Sequence, residues 1–268
     1  MLLKHFVDDN DQLSFYQTDA PERGVRRQTP RTLFLENHLY TFTDFDGCKD
    51  FSTEAFFSEL ESEADSIVCK IVENARNGKL SGLTLDERLV FDWFFVTLYR
   101  RLPDVFARLL PDFLDSKDFQ RQYRDCEGIG EADPIKREAM EEFLWKEIWP
   151  RSLPIRDELM EHELLPTLSR MKLWVAVVPQ GQAGLIVGSN PVITVAGHLC
   201  NPDSERIVAL AHDVAVSYIH NHQEIPFELT DKDVRDFNRH IFGQSTMVAG
   251  RSREQIECLA AASNSKTQ

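Results

Sequence analysis

The residues Gly188-Ser189-Asn190-Pro191 follow a strand-like run and place a hydroxyl and an amide at a chain corner. Hydrolases use such a strand-to-turn corner to present a serine nucleophile. Pro191, however, pushes Asn190 toward an extended conformation and forbids a helix starting tightly behind it. The plainer reading is a polar turn in which Asn190 bonds the backbone. His212, Asn238 and His240 are the other side chains suited to proton transfer or polar recognition. Asn190, His212, Asn238 and His240 therefore form the candidate catalytic set, with Ser189 as a binding residue. Asn238 and His240 lie two apart on a predicted helix and do not face one another, so only the fold can bring either to the turn. His212 and Asp213, read as adjacent residues of an extended chain, point opposite ways.

Two further groupings could bind ligands. His220, His222 and Glu224 alternate, which on an extended strand puts all three on one face, where a divalent metal could use them. No fourth ligand follows at recognisable spacing, and a polar strand end before Pro226 is the simpler reading. Glu158 and His162 are four apart on a helix, whereas two-metal carboxylate folds use a spacing of three. The stretch from Arg23 to Arg31 carries four arginines, and Arg26, Arg27 and Arg31 are candidate phosphate grips. Aromatics do not interleave with them, so a solvated loop pairing with acidic surface is preferred. Neither Gly-x-x-x-x-Gly-Lys-Ser/Thr nor Gly-x-Gly-x-x-Gly occurs. No cofactor is indicated.

The elements that must position these groups can be read from periodicity. Leu13 to Tyr16 alternates like a strand, and residues 17–30 read as a loop. Leu33-Phe34-Leu35 and Leu39-Tyr40-Thr41-Phe42 are β-prone and precede an Asp46-Gly47 turn signal. From Ser52, apolar residues recur at three- and four-residue steps up to Gly78, which predicts a helix. Thr84 and Glu87 have capping-box spacing, and the helix they open is apolar around much of its circumference until Pro103. Pro103 and Pro111 bound a short helical segment. Asp133-Pro134 caps a helix to about Trp149, and another runs from near Pro154 to Arg170 with Pro166 breaking or kinking it. From Lys172 strands dominate: Leu173 to Val178, a returning hairpin partner at Gly184 to Val187, then 191–195 and 214–219. Thr230 caps a helix to about Phe242, and a last helix covers roughly 252–262.

This pattern predicts an α+β fold whose helical N-terminal two thirds pack against a mostly antiparallel sheet formed largely by the C-terminal third. A single domain is expected over 1–268, with a helical subdomain over 52–171 and a β-rich one over 172–250 followed by a final helix. The 268 residues are 42% hydrophobic and carry a formal charge of −14. That field disfavours a nucleic-acid partner, although a local basic patch can override it. The apolar runs are too short to span a bilayer, so no membrane partner is expected. Five scattered cysteines without Cys-x-x-Cys spacing suit reduced thiols and a cytoplasmic location.

The chain resembles the domain-of-unknown-function 4238 family along nearly its whole length. The resemblance rests on Leu2-Leu3-Lys4-His5-Phe6, on Leu39-Tyr40-Thr41-Phe42 with Phe51-Ser52, and on the Trp174 strand. It continues through Gly188-Ser189-Asn190-Pro191-Val192 and Arg235-Asp236-Phe237-Asn238. Two departures stand out. Family members usually carry Asp where this chain has Ser189, which weakens any role for a carboxylate there. They also carry a His-x-x-Pro-like segment before the opening apolar run, so a late start or a lost segment is expected here. The resemblance implies an α+β protein and no established activity. Two readings of function follow. One is a hydrolase or nuclease-like effector acting on nucleic acid or a nucleotide. The other is a non-enzymatic protein-binding or regulatory module that uses the acidic face of the first helix.

Overall fold

A computed structural model describes residues 2–33, 42–43, 49–100, 164–195, 204–220 and 223–264. The expected helices at 103–111 and 133–149, the segment 154–163, the pair Glu158/His162 and the β-prone residues 34–41 lie outside them. The described part is a mixed α+β arrangement, and the expected segregation of helices before strands does not hold. Strands β1 (Leu13–Gln17) and β2 (Arg26–Gln28) come from the N-terminal end. The short pair β3 (Phe42–Thr43) and β4 (Lys49–Asp50) follows them. Helices α1 (Ser52–Arg76), α2 (Leu85–Arg100) and α3 (Leu164–Arg170) precede β5 (Lys172–Val177), β6 (Val187–Gly188) and β7 (Val192–Val195). Then come β8 (Glu205–Ala211), β9 (Val214–Ile219), β10 (Phe227–Glu228), α4 (Asp231–Gln244), β11 (Met247–Gly250) and α5 (Arg253–Asn264).

Two larger sheets result. One runs β10-β5-β9-β8-β7, antiparallel except for the parallel β10–β5 pair. The other runs β2-β1-β11-β6 and is antiparallel throughout. The strand expected at Leu13 to Tyr16 forms as β1, in the interior of the second sheet between β2 and β11. Leu13 and Phe15 of β1 join the main core, whereas Tyr16 joins a second core with Ile186, Ile241, Phe242, Val248 and Ile256. Both faces of β1 are covered, so its first four residues are all buried. The arginine stretch includes β2, an edge strand paired to β1, where a loop was expected. Charged side chains on a sheet edge discourage pairing with other chains.

The main core lies where the expected helices place it. On α1, Phe57, Leu60, Ala64, Ile67, Val68, Ile71 and Ala75 are buried on one stripe. Thr84 and Glu87 form the reciprocal cap of α2, with bonds of 2.7 and 3.2 Å. Residues 91–98 of α2 are buried on every side, and this traps Asp92 in the interior. There its carboxylate accepts from Arg88 Nε at 2.7 Å and from the Tyr218 hydroxyl at 2.6 Å. Arg88 also donates to the Leu168 carbonyl at 2.9 Å, which ties α2 to α3 and, through Asp92 and Tyr218, to β9.

The expected β5 hairpin does not form. β5 pairs with β9 and β10, and β6 pairs with β11 in the other sheet. The chain from 181 to 186 crosses between sheets because other groups take its backbone bonds. Leu185 N–H donates to the His212 carbonyl at 2.7 Å, and Ile186 N–H donates to Asn238 Oδ1 at 2.9 Å.

Candidate functional site

The true hairpin is β8–β9, and His212-Asp213 is its two-residue loop. β8 itself escaped the periodicity reading. In a turn neighbouring side chains can converge, and His212 Nδ1 lies 3.7 Å from Asp213 Oδ1, contrary to the extended-chain expectation. Asp213 accepts a bidentate grip from Arg76 at the end of α1, both bonds 2.8 Å. Burial pushes the Asp213 carboxyl up, but the Arg76 bonds and the nearby His212 reverse this and hold it below its ordinary value.

His212 is fixed through His5. Its backbone N–H and its Nδ1 both meet the His5 carbonyl, at 3.1 and 3.2 Å. A carbonyl can only accept, so Nδ1 carries a proton, and in the neutral imidazole Nε2 then holds the lone pair. Nε2 faces Arg251 Nη1 at 3.4 Å, a group that can only donate. The second partner of Arg251 is Asp9, on the surface.

His212 and Arg251 line a cavity of about 540 Å³ together with Asp8, Gln182, Gly184 and Gln255. That volume falls within the range of small-molecule sites, roughly 300–1,000 Å³. Ser252 caps the first turn of α5 by accepting from Gln255 N–H at 3.2 Å, so a helix N-terminus borders the cavity. Asp8 pairs with Arg27 and also accepts from Asn10 and Gln12 N–H. Gln182 Oε1 is buried and has no hydrogen-bond partner among the described residues.

The other candidate residues do not converge there. The corner at Ser189 docks on the α4–β11 connection. Ser189 Oγ accepts from the N–H groups of Thr246 and Met247 at 3.1 and 3.2 Å. Asn190 is buried, and its backbone N–H donates to Ser245 Oγ at 3.2 Å. Its carbonyl accepts from Gln244 Nε2 at 2.7 Å, while its Oδ1 is buried without a partner among the described residues. Gly188 is required at this corner because a Cβ there would overlap the Ser245 side chain and lie 2.9 Å from Ile241 Cγ2. Asn238 is buried and fastens α4 to the crossing segment, accepting from Ile186 N–H and donating to the Gly184 carbonyl, both at 2.9 Å. His240, two residues on, is exposed.

Arg26, Arg27 and Arg31 are exposed. Arg26 lies 4.7 Å above the Phe15 ring and donates to Gln17, and Arg27 pairs with Asp8. His220 and Glu224 are exposed, and His222 lies outside the described residues.

Asn238 thus shapes the cavity wall through Gly184. Replacing it with Ala leaves Ile186 N–H unpaired, whereas the Gly184 carbonyl retains Gln255 as a donor. Asn238→Ala should cost about 1–3 kcal/mol, the penalty of one buried unsatisfied group. Urea denaturation checks this, and an unchanged midpoint would show the bond to Ile186 to be dispensable.

Arg251, Gln182 and Gln255 were missed because no local spacing joins them to His212. Only the hairpin, the sheet crossing and the start of α5 do so. No helix among the described residues is long and apolar enough to cross a membrane. No curated protein and no solved structure matches the chain. A family model does match, over residues 1–254, and the chain therefore belongs to the family described as protein of unknown function DUF4238.

Proposed function

We propose that the cavity between the 181–185 crossing and the start of α5 binds a small phosphate-bearing molecule of nucleotide type, and that His212 promotes its hydrolysis. The observation that carries this reading is the pairing of a tautomer-fixed His212 Nε2 with Arg251 on one cavity wall. The ion pair of Arg251 with Asp9 is at the surface, with the carboxylate side chain 89% exposed. Such pairs contribute about 0–1 kcal/mol, so a ligand phosphate competes for the guanidinium readily. Drawing Arg251 toward phosphate also frees Nε2. A water held there gives its proton to Nε2 as its oxygen attacks phosphorus. The P–O bond to the leaving group breaks, and the imidazolium returns the proton to the departing oxygen.

Isothermal titration of the full chain with nucleoside monophosphates and the matching nucleosides tests this reading. Binding should require the phosphate. Arg251→Met should weaken it by about 1.5–3 kcal/mol, the range for a charged hydrogen bond. Equal affinity for nucleoside and nucleotide, or an indifferent Arg251→Met, would overturn it. A phosphodiester polymer is a poorer candidate, because the chain carries a net charge of −14 and Arg27 is already paired.

A further inference from the structure

On the far side of His5 lies a second cluster. Its carbonyl faces His212, but its imidazole faces α1, where Nε2 is 3.9 Å from Cys69 Sγ. Asp65 is one turn before Cys69, and the four-residue step puts both on one helical face. Ligand atoms of His5, Asp65 and Cys69 all lie within 4.8 Å of one another, and all three residues are partly buried. Among the described residues, this is the one group of three with metal-ligand geometry.

We infer that His5, Asp65 and Cys69 form a three-ligand site for a thiophilic divalent cation, Zn²⁺ being the best match. A tetrahedral zinc with bonds of about 2.3 Å to sulfur and 2.0–2.1 Å to nitrogen places those atoms roughly 3.5 Å apart. The 3.9 Å separation therefore needs to close by only a few tenths of an ångström. One thiolate, one imidazole and one carboxylate select zinc over magnesium or calcium, which prefer oxygen alone. Three protein ligands also leave a fourth position open.

The environment of Asp65 supports the assignment. Lys4 Nζ holds Asp65 Oδ2 at 2.6 Å, while Oδ1 is buried and has no hydrogen-bond partner among the described residues. A bound cation would satisfy that oxygen. The site is joined to the cavity wall by the His5 main chain and by α1, whose Arg76 holds Asp213, and its ligands are not among the residues that line the cavity.

Cobalt substitution tests the site in the full chain. After chelator treatment, Co²⁺ should bind at one equivalent. Thiolate-to-cobalt charge-transfer absorption and intense tetrahedral bands should appear, and Zn²⁺ should displace both. Cys69→Ser should abolish the charge-transfer band. Loss of an outer-shell partner already costs about 10–100-fold in affinity, so His5→Gln, which removes a ligand but keeps the carbonyl to His212, should cost at least the upper figure. Circular dichroism establishes that each variant is folded. If Cys69→Ser fails to fold, His5→Gln decides alone. Absence of a stoichiometric band, its survival in folded Cys69→Ser, or an unchanged affinity in His5→Gln would overturn the assignment.

Discussion

Arg88→Met should destabilise the protein by about 3–5 kcal/mol, the cost of leaving a buried charge without its partner. The Asp92 side chain is 3% exposed, and its two neutralising contacts are Arg88 Nε and the Tyr218 hydroxyl. Removing the guanidinium leaves the carboxylate with a neutral donor alone. The acid dependence gives the prediction a second readout. Burial pushes the Asp92 carboxyl above its ordinary range, and Arg88 and Tyr218 pull it partly back. An acid with a raised native pKa binds more protons folded than unfolded. Its contribution to stability is therefore present below the ordinary value, about 3.9, and is lost as pH rises through the native one. In Arg88→Met that native value rises further. The deficit against the parent protein should be largest at neutral pH and should shrink as pH falls toward 4. Urea denaturation across this range measures both effects. A deficit constant with pH would mean that Asp92 is not the group left exposed to the low dielectric. Asp92→Asn should be cheaper than Arg88→Met, because an amide carries no buried charge.

The second large effect concerns His212. Where the protein cleaves a phosphoester, His212→Gln should lower kcat by about 10²–10⁴-fold, the usual contribution of a positioned acid–base group. KM should move little, because Arg251 supplies most of the phosphate attraction. Glutamine can still bond the His5 carbonyl through its amide, so hairpin geometry is retained while the basic lone pair is lost. A kcat within threefold of the parent would remove His212 from the chemistry and leave the cavity as a binding site. Protein-binding function then becomes the stronger reading.

Much of the element pattern was legible, and the reasons are local. Ser52 to Arg76 and the Thr84–Glu87 cap declare themselves because apolar spacing and capping act within a few residues. Thr230 likewise opens α4 with the reciprocal bonds of a capping box to Asp233. Pairing was less legible. β1 was legible as a strand, but its partner β11 lies near the other end of the described chain, and β6 left its sequence neighbour for the same β11. Of the candidate site, His212 was found by residue type alone. Asn238 was also singled out, but its amide turned out to be a strut between Gly184 and Ile186. The corner at Ser189 closes on backbone amides. The His5–Cys69 approach could not be seen in sequence, because 64 residues separate the two and neither lies in a ligand motif.

The pairing of β1 with β11 has a consequence for synthesis. Ser14 to Gln17 lie against Met247 to Gly250, so a central strand of the second sheet waits for about 230 residues to be made. At bacterial or eukaryotic translation rates of roughly 5–20 residues per second that wait is on the order of 10–50 s. Meanwhile β1 presents one unpaired edge and an apolar face that only the last helices cover. The nascent chain is therefore open to chaperones, and to aggregation, until α5 has left the ribosome. Any truncation that removes α5 would prolong that exposure indefinitely.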